Sequence, residues 1–175
     1  MARSQSAADG RKARSGRNRP DRRQEGLGSK PALMARPDPA LLDPARYPFG
    51  NTVTTRFADL DPNGHINNVA MAAVFEDARL RFITAVGMPR NTDGARFMVA
   101  NVNIDYLAQA YYPAGLECRV GVLPGGRSSW SLRQLLLQDG RPVATAHVTI
   151  VFTDGERPQP IDPALRERLD AWLIR

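Results

Sequence analysis

The sequence contains one cysteine, Cys118. A single thiol closes no internal disulfide and builds no cysteine zinc cluster, and no metal is called for. No apolar run approaches the ~18 residues that span a bilayer, and the first residues lack the apolar stretch of a secretory signal. Together these absences point to the reducing cytoplasm and to no membrane partner. Aromatic residues are scarce, at 7%, and none is interleaved with the basic residues near the N-terminus, where a nucleic-acid arm would place stacking rings. Charge of one sign is also lacking over most of the chain. The net charge is +6 from 24 Lys and Arg against 18 Asp and Glu. Residues 1–33 alone hold nine of the basic residues and only Asp9, Asp21 and Glu25 among the acids. That stretch carries the whole excess, and the remainder balances at fifteen against fifteen. A neutral remainder has no excess charge with which to bind nucleic acid.

What is present fits one domain with a sizeable core, since 175 residues are too few for two. Residues 1–45 read as a disordered basic tail and lead-in, and residues 46–175 as the domain. Up to about residue 33 the tail is rich in Arg, Ser, Gly and Pro and too poor in large apolar residues to offset the entropy of ordering. Four readings of it stay open: a solvated extension, a start-site artefact with Met34 opening the compact protein, a basic arm, and a transit peptide. Residues 34–50, punctuated by Pro37, Pro39, Pro44 and Pro48, read as extended.

Alternation predicts a first strand over Thr52–Phe57. From Val69 to Gly87, Met71, Val74, Phe75, Ala78, Phe82, Ala85 and Val86 recur on one helical stripe. Asn67 or Asn68 suits the N-cap, Gly87 the position after the C-cap, and Pro89 stops continuation. Four strands follow. One has Ala100, Val102, Ile104 and Tyr106 on one face. The next has Leu116, Cys118, Val120 and Val122. The third spans Ser129–Gln138 and turns at Asp139-Gly140, a strong hairpin signal. The fourth runs Val143–Phe152, with small Ala144 and Ala146 where a helix can approach closely. Short turns join them, so they are expected to form an antiparallel meander. A terminal helix over Ile161–Ile174 starts with Asp162 as N-cap and Pro163 in its first position. One long helix on one antiparallel sheet is an α+β domain.

The chemistry concentrates in Asp59-Leu60-Asp61-Pro62-Asn63-Gly64-His65-Ile66-Asn67-Asn68, directly before the long helix. A carboxylate a few residues ahead of a helix N-terminus stands beside free N–H groups and a favourable field for a developing oxyanion. Asp61 is therefore the candidate base or nucleophile; turn formation is its structural alternative. His65 orients Asp61, binds substrate, or bonds to the loop. Asn63 positions water or closes an Asx-turn. Gly64 permits a tight turn or close substrate approach. Asn67 and Asn68 read as caps. Glu76 and Asp77 lie two turns into the helix, on a solvated face or reaching toward the same cleft as Asp61. Cys118 reads as a core residue, and His147 as a surface or interface residue on a Thr-rich face.

The run Arg56-Phe57-Ala58-Asp59-Leu60-Asp61-Pro62-Asn63-Gly64-His65-Ile66-Asn67-Asn68 and the helix after it resemble the hot-dog fold thioesterases, in particular the 4-hydroxybenzoyl-CoA thioesterase family. Asn103-Ile104-Asp105-Tyr106-Leu107 and the Asp139-Gly140 hairpin are weaker echoes. The resemblance implies an antiparallel sheet wrapped around one long central helix. It implies homodimers, or dimers of dimers (homotetramers), with active sites at subunit interfaces. It implies hydrolysis of an acyl-CoA or acyl carrier protein thioester without a cofactor. It matches the catalytic carboxylate to Asp61 and the oxyanion donor to the Asn68 amide, and a second branch matches the carboxylate to Glu76. The pattern of acyl carrier protein thioesterases matches Asp61, Asn63 and His65. Arg127, Ser128 and Ser129 fall where the family binds the pantetheine arm and nucleotide phosphates. A hot-dog enoyl-CoA hydratase or dehydratase is an alternative, although its histidine stands five residues after the aspartate, whereas His65 stands four after Asp61. A non-catalytic acyl-CoA-binding module is the other.

Overall fold

The computed structural model describes residues 37–88 and 96–175. The expectations for the basic tail up to residue 36 and for Pro89 lie outside these residues. Helix α1 spans Asn68–Ala85, with strand β1 at Phe49–Val53 before it. After it come β2 at Arg96–Tyr106, β3 at Leu116–Leu123, β4 at Ser129–Gln138, β5 at Arg141–Thr153 and helix α2 at Pro163–Asp170. The five strands form one antiparallel sheet in the order β1-β3-β4-β5-β2. No helix among the described residues is long and apolar enough to cross a membrane.

The sheet buries its inner face against α1, the hot-dog arrangement. Alternation fixes that face. Cys118, Leu136 and Ala144 form one cross-strand row, and Val122, Leu132 and Val148 another; all six are buried. From α1, Met71, Phe75, Ala78 and Phe82 complete the core. Phe82 meets Phe49, Trp130 and Trp172 at ring-centroid distances of 5.6, 6.4 and 5.7 Å. Fully buried Gln134 donates from Nε2 to the Phe75 carbonyl at 2.8 Å, a polar bond from sheet to helix inside the core. The β4–β5 hairpin turns on Asp139 and Gly140, both at positive φ (51° and 74°), as a two-residue type I′ turn requires.

Several expectations are corrected. The four later strands are not a simple meander: β3-β4-β5 is one, but β2 crosses to the far edge and pairs with β5. The crossover, residues 107–115, is held across the β4–β5 end by buried Gln138. Its Oε1 accepts from Tyr111 N at 2.8 Å, and its Nε2 donates to the carbonyls of Tyr111 and Ala114 at 2.8 and 3.1 Å. As an edge strand, β2 leaves Ala100, Val102 and Tyr106 exposed, and its register shifts between Val99 and Asn101. Strand β1 starts and ends earlier than the alternation suggested, because its pairing with β3 stops at Val53 opposite Leu116. In α1, Ala85 is exposed and Arg79 is buried. The lead-in is not extended throughout. It makes two 3-10 turns, Pro39–Leu42 and Pro44–Arg46, capped by the side chains of Asp38 and Asp43. Tyr47 and Leu42 then cover Leu135 and Leu137 on the outer sheet face, together with Ile174. Helix α2 stops at Asp170, after which Leu173 bridges to Val122.

Candidate active site

The segment ahead of α1 is a closed turn. Leu60 bridges Ile66 in antiparallel fashion. Asp61 N donates to the His65 carbonyl at 2.8 Å, and Gly64 N to the Asp61 carbonyl at 3.0 Å. Gly64 sits at φ 81°, a conformation that costs little only without a Cβ. Asp61 Oδ1 accepts from the amides of Asn63 and His65 at 2.8 and 3.1 Å. These donors, the His65 amide foremost, hold the Asp61 carboxyl below the usual aspartate range against the opposing effect of burial. No backbone donor reaches Oδ2 among the described residues. The group is therefore held ionised, with Oδ1 fixed by two backbone amides and the Asn63 side chain adding to the same effect. The Asx-turn foreseen at Asn63 is present, but it is made by the Asp61 side chain. The His65 ring rests edge-on against Tyr111, 5.2 Å between centroids.

The helix start is fixed by a second set of bonds. Asp59 is buried and pairs with Arg56 at 2.8 Å, while its Oδ2 accepts from Arg56 N; the pairing holds its carboxyl low. Asn67 is the N-cap. Its Oδ1 accepts from Ala70 N at 2.7 Å, and its Nδ2 and N both donate to the Asp59 carbonyl. Asn68 is thus the first helical residue, and its amide is a first-turn donor with no acceptor inside the helix. The Tyr106 hydroxyl, at the end of β2, donates to the Asn68 carbonyl at 3.0 Å. A groove of about 390 Å³ opens here, lined by Arg56, Ala58, Asp59, Asn67, Asn68, Val69, Ala70 and Ala73. A second of about 320 Å³ shares Arg56, Asp59, Ala70 and Ala73 and runs on to Asp77. A cleft of about 670 Å³ lies between the crossover and the β4–β5 turn, lined by residues including Gln109, Tyr111, Gln138 and Arg141.

The structure brings Asp61, Asn63, Gly64 and His65 together in one turn, and Asn67 and Asn68 at the helix start that follows it. It does not bring Glu76 into either groove along α1. Glu76 is exposed and lies 3.4 Å from buried Arg79; Asp77 pairs with Arg81 at 2.7 Å. Arg127, Ser128 and Ser129 are farther still. They open β4 beside β5, where the Ser128 and Arg127 carbonyls accept from Phe152 and Ile161. Ten residues of β4, roughly 30 Å, separate them from Gln138 and the crossover. Cys118 is fully buried, and burial pushes its thiol pKa up, so it is a core residue. His147 is half-buried on the outer sheet face between Arg133 and Asn103; burial first, then Arg133, lowers its pKa. Sequence reasoning missed the fixing roles of Arg56, Tyr106 and Gln138. Their partners lie across the fold or in a turn whose closure carries no periodic signal.

Comparison with known proteins agrees with this fold. The model of the thioesterase-like superfamily matches residues 55–169. The Bacillus subtilis (strain 168) protein YsmA, which is uncharacterized, is 31% identical over 111 residues, covering 63% of this chain and 76% of that protein. Among solved structures, a thioesterase from Thermus thermophilus complexed with coenzyme A and zinc is similar, with TM-score 0.66 and 32% identity over 72% of this chain and 94% of that one. The PA5185 protein of Pseudomonas aeruginosa PAO1 gives TM-score 0.66 and 27% identity over 74% and 94%. With the family model spanning the turn at Asp61, the long helix and strands β2 to β5, the chain belongs to the thioesterase-like superfamily and is a hot-dog thioester hydrolase.

Proposed function

We propose that the protein hydrolyses acyl-CoA thioesters, with Asp61 as the reacting carboxylate and the Asn68 amide as an oxyanion donor. The observation that carries this reading is the state of Asp61: Oδ1 bound by two amides, Oδ2 reached by no backbone donor among the described residues, and the group ionised just ahead of the α1 N-terminus. A thioester carbonyl placed at the helix start meets N–H groups that stabilise the developing negative charge. Oδ2 either attacks the carbonyl or activates water. His65 then supports the turn through its backbone rather than through its ring. The coenzyme A in the Thermus thermophilus complex supports CoA as the carrier.

The active unit is a homodimer built on β2. Its outer edge has no strand partner among the described residues, and Met98, Val99, Val102 and Tyr106 are exposed along it, as are Val69 and Leu80 on α1. A two-fold copy pairing β2 with β2 antiparallel reverses the strand end for end. Ser129 pairs with Val151 and Val151 with Met98, so the Arg127–Ser129 turn travels with the start of β2. The partner's turn then approaches the Tyr106 end, where Asn68 is tethered. A turn too distant to serve its own helix start serves the neighbour's, and Arg127 becomes available to a CoA phosphate.

The test is free-thiol release from a panel of acyl-CoAs. Asp61→Asn should lower kcat/KM by roughly 10²–10⁴, and Glu76→Gln should leave most of it. The reverse ranking moves the catalytic carboxylate to Glu76. Enoyl-CoA hydration without thiol release, or tight binding without turnover, replaces the hydrolase assignment with the corresponding alternative.

A further inference from the structure

Beside the turn at Asp61, the rim of the molecule carries three large rings in solvent. Phe57 is 76% exposed, Tyr111 49% and Tyr112 45%. They come from two segments distant in sequence, Phe57 from the short 3-10 turn Phe57–Asp59 and the tyrosines from the crossover. The rings are paired. Phe57 and Tyr112 meet edge to face, 6.3 Å between centroids at 83°, and Tyr111 meets His65 in the same way at 80°. Both segments are fastened next to the turn. Ile66 N donates to the Ala110 carbonyl at 2.8 Å, Thr55 Oγ1 donates to the Ala114 carbonyl at 3.0 Å, and the Arg56–Asp59 pair closes the turn that carries Phe57.

A single apolar side chain in water is ordinary. A pair of exposed rings on two tethered backbones is different: it has little freedom left to lose when a planar partner settles on it. Its position adds the direction. Ala58, next to Phe57, lines the same groove as Asn67 and Asn68. A ligand whose carbonyl sits at the helix start and whose chain follows that groove reaches the Phe57 side.

We propose that Phe57 and Tyr112 form a stacking platform for a planar aromatic ring carried by the substrate, which rests on the thioester reading above. That ring belongs either to the adenine of CoA or to an aryl acyl group. Stacking of a base on an aromatic side chain tolerates any π-face and survives exposure to water, which suits a rim site.

The test uses Phe57→Leu with Tyr112→Leu, which removes the π-faces and keeps apolar bulk, and Phe57→Trp, which keeps a ring. Thermal melting of each variant checks the fold. Binding is measured by calorimetry with adenosine 3′,5′-bisphosphate, S-ethyl-CoA and S-benzyl-CoA; the last two are thioethers that cannot be hydrolysed, so the readout is independent of turnover. If adenine is the ring, the double leucine variant weakens all three by about tenfold or more, and the tryptophan variant does not. If the acyl group supplies the ring, only S-benzyl-CoA weakens. Unchanged affinity for all three overturns the platform. Weakened binding in a protein that releases thiol from no acyl-CoA instead refutes the thioesterase reading and leaves the platform in place.

Discussion

Two aspartates two positions apart are held differently because their surroundings differ. Asp59 is buried and spends both oxygens on Arg56. Asp61 gives Oδ1 to the turn's amides and leaves Oδ2 without a backbone donor among the described residues. Both carboxyls are held below the ordinary value of 3.8, so both contribute stability that is complete above that value and lost as the pH falls through the folded-state value. Arg56 is the main cause of the shift at Asp59. Arg56→Ala should therefore melt below the wild type at pH 7, and the gap should close as the pH drops below 3.8. Melting followed by circular dichroism at pH 7 and pH 3 checks this; a gap independent of pH assigns the loss to packing. Thiol release should likewise keep its full value down to the ordinary carboxylate range and fail only below it. Asp61, Asn63, Gly64 and His65 were legible from sequence as one cluster ahead of the helix, because they are adjacent and the helix start was plain. The choice of Asp61 as the candidate carboxylate was read there too; which amides reach which oxygen was not, since that depends on how the turn closes.

At the scale of elements, the long helix was the most legible feature. Its stripe, cap and terminal glycine all agree, and the structure puts the N-cap at Asn67 and Gly87 at φ 69°. Arg79 was invisible because a charged residue off the apolar stripe reads as solvated, whereas here it is buried beside exposed Glu76. The inner alternation of β3, β4 and β5 was equally plain, but alternation cannot distinguish an edge strand from a central one, so the place of β2 beside β5 went unseen. For the same reason the distance of Arg127 from the helix start could not be read. The cap offers a direct measurement. Asn67→Ala removes the bond to Ala70 N and the donor to the Asp59 carbonyl, and should cost about 1 kcal/mol. Chemical denaturation should register it as a lower midpoint with unchanged slope. Activity should fall as well, because the same residue sets where the helix begins.

For the whole molecule, the proposed dimer makes a quantitative claim. Light scattering should return twice the chain mass of 19.3 kDa, or four times it if dimers pair. Val102→Lys, placed on the exposed β2 edge strand, should shift the mass toward one chain and reduce thiol release with it, because the partner's turn leaves the helix start. A monomer that retains full turnover refutes the shared site.

The crossing of β2 also constrains how the chain is made. Asn101 has Thr149 as its neighbour, yet a ribosome delivers β3 and β4 before β5 exists. At 5–20 residues per second, the helix and its edge strand stand for seconds without the surface that will cover them. Exposed apolar surface and an unpaired strand edge are what make such a chain prone to aggregation, and the last hairpin is what covers them.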